Sequence, residues 1–421
     1  MVPATITRQF STNVEKQAIG LRSSPNPLPT IGNDFEVYRR LVPLVLSGTT
    51  IHLNAGFMPP SNLIVHQALS QFNNEALNHP SPKPEWKKTV EEARKLVGRY
   101  IQTDPSNIAF VRDTTEGLGS FMHGLDFEPG DNVVILDCEH PNQMYGWLSM
   151  RDRGLEVRLV PTHSDKPFAA NASTFAPYVN DRTRAIGLSS VMFHNGQLND
   201  IADICTTYRP RGIHVLGDLT QQVGFTDINV ESLGVSAAAF SLHKGLNTPT
   251  GFAVLYVDPK VISAIDPVPP LVSYGGVTTT EDAEVSDATI QFHPNARRYE
   301  HTNMSFSSAV CARAFLEFYL DFMGPKNVEK HLYELGDALR EVCRDLDIGI
   351  LGPEERENHS PHLYVLRLHD GRWGSYLRKG GVIVTSLRTG IRVSFGFYNN
   401  TTDVRVLGRI LAAGIKEGLE L

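Results

Sequence analysis

Ser241-Leu242-His243-Lys244-Gly245, followed by Asn247-Thr248-Pro249-Thr250-Gly251, is the stretch on which the reading of this chain turns. The apolar run Val235 to Phe240 leads into it, and a second one, Phe252 to Val257, leads away. A lysine therefore stands at a strand end, among small and polar neighbours, in a turn rich in Gly and Pro. Taken alone, such a lysine is ordinarily a solvated surface residue. The other reading is a reactive amine at the end of a sheet strand.

Outward from this turn the pattern is regular. Strands are expected at 107–111, 132–136, 156–160, 185–192, 212–217, 236–241 and 252–257, with helices at 115–124, 142–153 and 201–208. Strands and helices alternating at this spacing predict an α/β fold with a mostly parallel sheet covered on both faces. Ligands of such sheets sit at the carboxyl ends of the strands. Upstream, 34–46 has helical spacing, 51–60 is a strand breaking into a Gly/Pro turn, and helices follow from Ser61 or Asn62 through Phe72 and at 86–100. Beyond Pro259 the alternation stops, and Pro267, Pro269, Pro270 and Gly275-Gly276 mark a boundary loop. Helices at 305–319, 328–346 and 403–418, with strands at 362–368 and 391–395, predict a smaller α+β domain.

The expected organisation is a flexible tail at 1–30, an N-terminal segment at 31–60 packing on the small domain, a large domain at 61–285 and a small domain at 286–421. The tail is rich in Ser, Thr and Pro and carries Arg8, Lys16 and Arg22 against Glu15. It reads as a disordered cytosolic tail rather than a transit segment.

Composition narrows the function classes. With 421 residues, 41% hydrophobic and 20% charged, the chain is globular, and no apolar run approaches a membrane span. Thirty-nine basic against 46 acidic side chains give a formal charge of −7, which removes the electrostatic case for nucleic acid. Cys138, Cys205, Cys311 and Cys343 are too scattered for a disulfide framework or a metal cluster, so no metal is expected and a reducing, cytoplasmic setting fits.

Five features fall at expected strand ends of the large domain. Arg112-Asp113-Thr114-Thr115-Glu116-Gly117 turns a strand into a helix whose free N–H groups suit a phosphate, or it is an ordinary N-cap. His140, in Cys138-Glu139-His140-Pro141-Asn142, could stack on a flat heteroaromatic ring or be merely packed. His194-Asn195-Gly196 could contact a ligand or cap the next helix. Asp218, in Leu216-Gly217-Asp218-Leu219-Thr220-Gln221, ends an apolar strand and calls for a cation, either a structural arginine or a protonated pyridine nitrogen. Lys244 is the fifth. An aspartate, a lysine, a stacking imidazole and a phosphate cradle together answer the demands of pyridoxal phosphate.

In this order, the residues resemble the class V aminotransferase family of fold-type I pyridoxal-phosphate enzymes, which includes cysteine desulfurases and isopenicillin N epimerase. The resemblance runs from about Leu53 to the last helix and is sharpest in Asp218-x-x-Gln221, Ser241-x-His243-Lys244 and Arg392-Val-Ser394-Phe-Gly396-x-Tyr398-Asn399. It implies that Lys244 forms the Schiff base, that Asp218 holds the ring nitrogen, that His140 stacks on the ring and that Gln221 reaches its phenolic oxygen. Asn195 would sit near ring or substrate, and Thr114, Thr115, Ser241 and His243 would hold the phosphate. Thr302, in Glu300-His301-Thr302-Asn303, would reach the phosphate of a neighbouring subunit, so a homodimer with shared active sites is implied. Arg392 would clamp the substrate carboxylate, with a structural salt bridge as its other reading, and Asn54 and Ala55 would line the substrate side.

The implied reaction is at the α-carbon of an amino acid. Similarity to members of specialised metabolism, such as fungal loline-alkaloid biosynthesis, implies a lyase or cyclase that couples decarboxylation to ring formation. Epimerisation, C–S cleavage and transamination stay open, and an epimerase would need a second acid/base, for which His52, Tyr145 and His301 are candidates. Residues 379–390, KGGVIVTSLRTG, lack the loop cysteine that desulfurases use. The alternative from another class is a non-catalytic phosphate- or nucleotide-binding module, for which no G-x-G-x-x-G or P-loop lysine is present.

Overall fold

The computed structural model describes residues 35–162, 168–278 and 290–421. The expected tail at 1–30 and the boundary near 285 lie outside the described residues.

In chain order the principal elements are α1 (Phe35–Arg39), α2 (Pro43–Leu46), β1 (Ile51–His52), α3 (Leu63–Asn78), α4 (Lys83–Ile101), β2 (Ile108–Val111), α5 (Thr114–His123), β3 (Asn132–Leu136), α6 (Pro141–Leu148), β4 (Glu156–Val160), β5 (Thr183–Ser189), α7 (Ile201–Tyr208), β6 (His214–Asp218), β7 (Ala237–Ser241), β8 (Ala253–Val257) and α8 (Pro259–Ile265). There follow α9 (Phe306–Phe318), α10 (Pro325–Asp345), β9 (Ile350–Leu351), β10 (Leu363–Leu366), α11 (Trp373–Lys379), β11 (Val382–Ile383), β12 (Thr385–Leu387), β13 (Gly390–Ser394) and α12 (Thr401–Lys416).

The large sheet has seven strands in the order β2-β8-β7-β6-β5-β3-β4. Strands β3 to β7 pair in parallel, while β8 runs antiparallel to both β7 and β2. Its β2, β3 and β5 to β8 are buried almost throughout, as a sheet covered on both faces requires. The alternation of strands and helices is therefore as expected, and the fold is that of fold-type I. The antiparallel β8 is a consequence of the Lys244 turn, which joins β7 directly to β8 without a crossover helix and returns the chain alongside itself, Ser241 facing Ala253.

Helix α5 lies very close to this sheet. A Cβ on Gly117 would stand 2.9 Å from Ala239 Cβ, so the glycine lets the helix settle onto β7 with its N-terminus over the strand ends. The single helix expected at 34–46 is instead two, because Pro43 has no N–H to continue α1 and starts α2.

The small domain is a four-stranded antiparallel sheet, β12-β13-β10-β9, with α10 and α12 packed together. The N-terminal segment completes it. Strand β1 pairs in parallel with β11, Ile51 facing Val382, and Ala55 N–H donates to Ser394 O at 3.1 Å. Arg39 adds an ion pair to Asp403 at 2.8 Å. No described helix is long and apolar enough to cross a membrane.

Candidate functional site

The carboxyl ends of β5, β6 and β7, the N-termini of α5 and α6 and the turn after β7 converge on a cleft of about 310 Å³. His140, Thr114, Thr115, Asp218, Gln221, Ser241, His243 and Lys244 all line it. Thus eight residues singled out from sequence meet in one place.

Lys244 is held by a tightly packed turn. Gly224 has φ +80° and approaches Gly245 so closely that a Cβ there would lie 2.3 Å from the Gly245 carbonyl carbon. Asn247, itself at φ 51°, donates its N–H to Lys244 O at 3.0 Å and its side-chain amide to Pro60 O at 2.7 Å. The Lys244 amine forms no hydrogen bond or ion pair with any described residue. Burial pushes its pKa down to about 8; Asp218 opposes that shift and Arg392 adds to it.

Asp218 faces Ser189 on β5 and Ala239 on β7. One carboxylate oxygen accepts from Thr220 N–H at 2.9 Å, and no arginine, lysine or histidine among the described residues forms an ion pair with it. The structural arginine that would explain a buried carboxylate is therefore not supplied by those residues. His140 caps α6, its Nδ1 accepting from Asn142 N–H at 3.2 Å. Burial lowers the pKa of the imidazole, with Asp218 opposing.

At the other end of the cleft, Thr114 Oγ1 meets Thr220 Oγ1 at 2.8 Å and Ser241 Oγ at 2.7 Å. The helix cap here is Asp113, which accepts from Glu116 N–H at 2.9 Å. Thr114 and Thr115 are thus inside the first turn, where backbone N–H groups have no intrahelical partner. His243 lies beside them, neutral at physiological pH because burial and then Lys244 bring its pKa down to about 4.

Gln221 is doubly held: its Nε2 donates to Gly56 O at 2.8 Å and its Oε1 faces His362 Nε2 at 3.4 Å. Asn195 is a correction of emphasis. It does not line the cleft; its side chain bonds Gln197, accepting from the backbone N–H at 3.1 Å, and so serves the turn. Thr302 also lies away from the cleft of its own chain, with its N–H on Ser273 Oγ at 3.2 Å.

Arg392, on β13, is buried without a carboxylate partner among the described residues. Its Nη1 donates to Phe193 O at 3.1 Å, its Nη2 to Thr385 Oγ1 at 3.3 Å, and its Nε has no partner. The salt-bridge reading of this arginine does not describe it. Desolvation brings its pKa down to about 10. Asn54 is joined to it through Thr385, and Ala55 sits beside Asn54 against Ser394; none of Arg392, Asn54 and Ala55 lines the cleft itself.

Sequence reasoning missed Thr220, Ser189, Phe57 and Phe193, which line the cleft, and Glu139, His362 and Thr385 behind it. Thr220 and Glu139 were within quoted motifs and Thr385 within the quoted 379–390 segment; the others carry no local signal.

These residues fit pyridoxal phosphate. Among the described residues the amine has no partner and the buried carboxylate has no cation, hydroxyls and a helix N-terminus share one end, and an imidazole lines the wall between. No group of three or more described His, Cys, Asp or Glu residues could hold a metal.

Comparison with known proteins agrees with this geometry. A model of the class V aminotransferases matches residues 64–407. An uncharacterised aminotransferase of Schizosaccharomyces pombe is 44% identical over 382 residues, 90% of this chain and 96% of that one. A solved apo cysteine desulfurase from Thermococcus onnurineus superposes with a TM-score of 0.80 at 20% identity, covering 91% of this chain and 98% of its own. The cystine C–S lyase C-DES superposes similarly. A form with glycine covalently linked to its PLP cofactor gives 0.80 at 18% identity over 89% and 98% of the two chains, and a complex with its product cysteine persulfide gives 0.77 at 18% over 86% and 97%.

Proposed function

Because the chain belongs to the class V aminotransferase family and its cofactor is pyridoxal phosphate, we propose that it is a lyase that takes the α-proton from an amino acid and expels a β-substituent, with C–S cleavage as its reaction type. When bound, the cofactor supplies an electron sink that acidifies the α-carbon. Lys244 Nζ would hold the cofactor and, as a free amine, would take the α-proton. A pKa of about 8 suits that task, since a useful fraction of the amine is neutral near pH 7 to 8. Lining the cleft as they do, Asp218 would keep a proton on the ring nitrogen, His140 would lie against the ring, Gln221 would face its phenolic oxygen, and Thr114, Thr115, Ser241 and His243 would take the phosphate.

Arg392 is the observation that carries the reading. A buried guanidinium with an unused N–H and no acidic partner is built for a substrate carboxylate. The same grip stabilises the carboxylate against loss as neutral carbon dioxide. It therefore supports cleavage of the bond to hydrogen over the decarboxylation with ring closure of alkaloid-type metabolism. Epimerisation finds little support in the placement of its candidates: His52 is bonded to Tyr398 at 3.0 Å, His301 is paired with Glu116, and Tyr145 is exposed outside the cleft. A mere phosphate-binding module would have no use for Lys244 and Asp218.

Among class V members, the cystine C–S lyase is the better guide than the desulfurases. The segment Lys379 to Gly390 contains no cysteine, and burial raises the thiol pKa values of Cys138, Cys205 and Cys343 to about 12 and of Cys311 to about 11. The four unpaired cysteines also support a reducing, cytoplasmic setting. A homodimer belongs to the same proposal, since Leu271, Val272 and Tyr274 expose apolar surface beside the Ser273–Thr302 contact.

The test is product analysis. Cystine and water should give pyruvate, ammonia and cysteine persulfide with no carbon dioxide. Carbon dioxide released one-for-one with substrate, from any amino acid tried, would transfer the reading to decarboxylation.

A further inference from the structure

We propose that Thr385 is a positioning residue that fixes both halves of the carboxylate site, Arg392 and Asn54, through a single hydroxyl; this rests on the reading of Arg392 as the carboxylate clamp. Thr385 stands directly opposite Arg392 in the antiparallel β12–β13 pair, and its Oγ1 is the one atom that contacts both partners.

Donor and acceptor accounting sets the direction of each bond. A guanidinium has only donors, so Thr385 Oγ1 accepts from Arg392 Nη2 at 3.3 Å. The hydroxyl has one proton, and that proton goes to Asn54 Oδ1 at 2.6 Å. The Asn54 amide is thereby fixed with its oxygen on Thr385 and its NH₂ turned the other way. Asn54 is buried and sits at the end of β1, bridged to Ser394 on the same strand as Arg392. Its NH₂ has no hydrogen-bond partner among the described residues. A flipped amide would make Thr385 Oγ1 accept from both neighbours and take this acceptor from its proton, so the hydroxyl favours the orientation in which it accepts from Arg392 and donates to Asn54.

On the other side Phe193 O accepts from Arg392 Nη1 at 3.1 Å. The guanidinium plane is thus held at two corners, leaving its buried Nε and the Asn54 amide as the donors with no partner among the described residues, which an anion entering here would have to reach. Two nitrogen donors from elements far apart in sequence, both oriented by one threonine, make a carboxylate site with defined geometry. An arginine alone would attract a carboxylate without fixing where it sits. The position of the carboxylate sets the rotation about the bond between the α-carbon and the amino nitrogen, and that rotation decides which bond at the α-carbon is aligned for cleavage, so Thr385 bears on reaction outcome as well as on affinity.

The test uses the cofactor-loaded full chain with Thr385→Val, which keeps the shape and removes both bonds, Thr385→Ser, which keeps the hydroxyl, and Thr385→Ala should the valine variant not fold. The probes are L-alanine, which has the carboxylate and no leaving group, and ethylamine, its decarboxylated analogue. Each is titrated against the absorbance of the bound cofactor. Thr385→Val is expected to weaken L-alanine about tenfold and ethylamine less than twofold, with the serine variant within threefold of the parent for both. Equal weakening of the two probes, or no weakening of L-alanine, would overturn the role given to Thr385. Arg392→Ala separates the two levels. If it leaves the preference for L-alanine over ethylamine intact, the clamp itself is wrong; if it removes that preference while Thr385→Val does not, only the positioning role is.

Discussion

Ser189 donates both its backbone N–H and its hydroxyl to Glu139, at 2.8 and 2.7 Å, and is at the same time the direct cross-strand partner of Asp218. Glu139 is buried, and burial pushes its carboxyl up to about 7, with the Ser189 donors pulling the other way and Asp218 adding to the rise. A carboxyl raised in the folded state contributes stability that is complete below its unfolded pKa and is lost as pH rises through about 7. The loss between pH 5 and pH 8 is on the order of 3 kcal/mol. In Glu139→Gln the pH-dependent part disappears. Thermal denaturation at pH 5 and pH 8 should show a smaller drop in Tm for the variant than for the parent; equal drops would mean that Glu139 does not titrate as its burial implies.

The amine of Lys244 sets a second pH dependence. Its pKa is lowered to about 8, chiefly by burial, so below that pH the neutral fraction falls tenfold per unit. Capture of pyridoxal phosphate by the cofactor-free protein should accelerate from pH 6 to pH 8 and level off above. Stopped-flow absorbance gives the profile, and borohydride reduction followed by peptide mapping should put the label on Lys244. A midpoint near 10 would show an amine that water reaches freely.

Arg392 holds a charge in the interior without a counter-ion among the described residues, which the proposed binding of a carboxylate would explain and the fold alone would not. Arg392→Met replaces it with an apolar side chain of similar length and should raise Tm, by an amount worth about 1–3 kcal/mol, while lowering kcat/KM for an amino acid by at least 100-fold. Calorimetry and steady-state kinetics on one preparation decide this. A variant that is both less stable and inactive would point to a structural arginine.

Gly224→Ala tests the support of the lysine turn. The position has φ +80°, and a methyl there would meet the Gly245 carbonyl carbon at 2.3 Å. We expect a loss of about 3 kcal/mol or more and a cofactor that separates from the protein on gel filtration. Retention of the cofactor at parental stability would show that the two backbones can part without disturbing Lys244.

Thiol alkylation should be harmless. None of the four cysteines lines the cleft and all four thiols are raised well above neutrality by burial, so iodoacetamide treatment is expected to leave pyruvate formation from cystine unchanged. Complete inactivation would restore a cysteine to the chemistry.

The sheet of seven strands was legible because most of its strands are apolar runs ended by polar or glycine residues, β4 being the alternating exception at the edge. Strand β4 at 156–160 and helix α7 at 201–208 occur where periodicity places them. Strand direction leaves no mark in composition, so β8 read like its parallel neighbours, although its direct connection through the Lys244 turn holds the clue. The small domain was harder. Strands β1, β9 and β11 have two residues each, too few for any period, and exist because a partner from a distant part of the chain lies alongside. In the site, residues with unusual chemistry at strand ends stood out: Lys244, Asp218, His140 and Arg392. Thr385 did not, since threonine in a short strand is ordinary and its importance comes from two partners, one of them 331 residues away. Asn195 suggested ligand contact or a cap on the next helix equally, and it does neither: it bonds Gln197 in the turn while Asp200 caps the helix.

The pairing of the N-terminal segment with the small domain also fixes when this site can come into being. Asn54 and Thr385 are separated by 331 residues, and Arg39 and Asp403 by 364. During synthesis, the segment around β1 emerges early and must wait, unpaired, until almost the whole chain has left the ribosome. The sheet that carries Lys244 can form well before then. A nascent chain can therefore complete the Lys244 turn long before Asn54 and Thr385 have met, so the two ends of this region are built at different times.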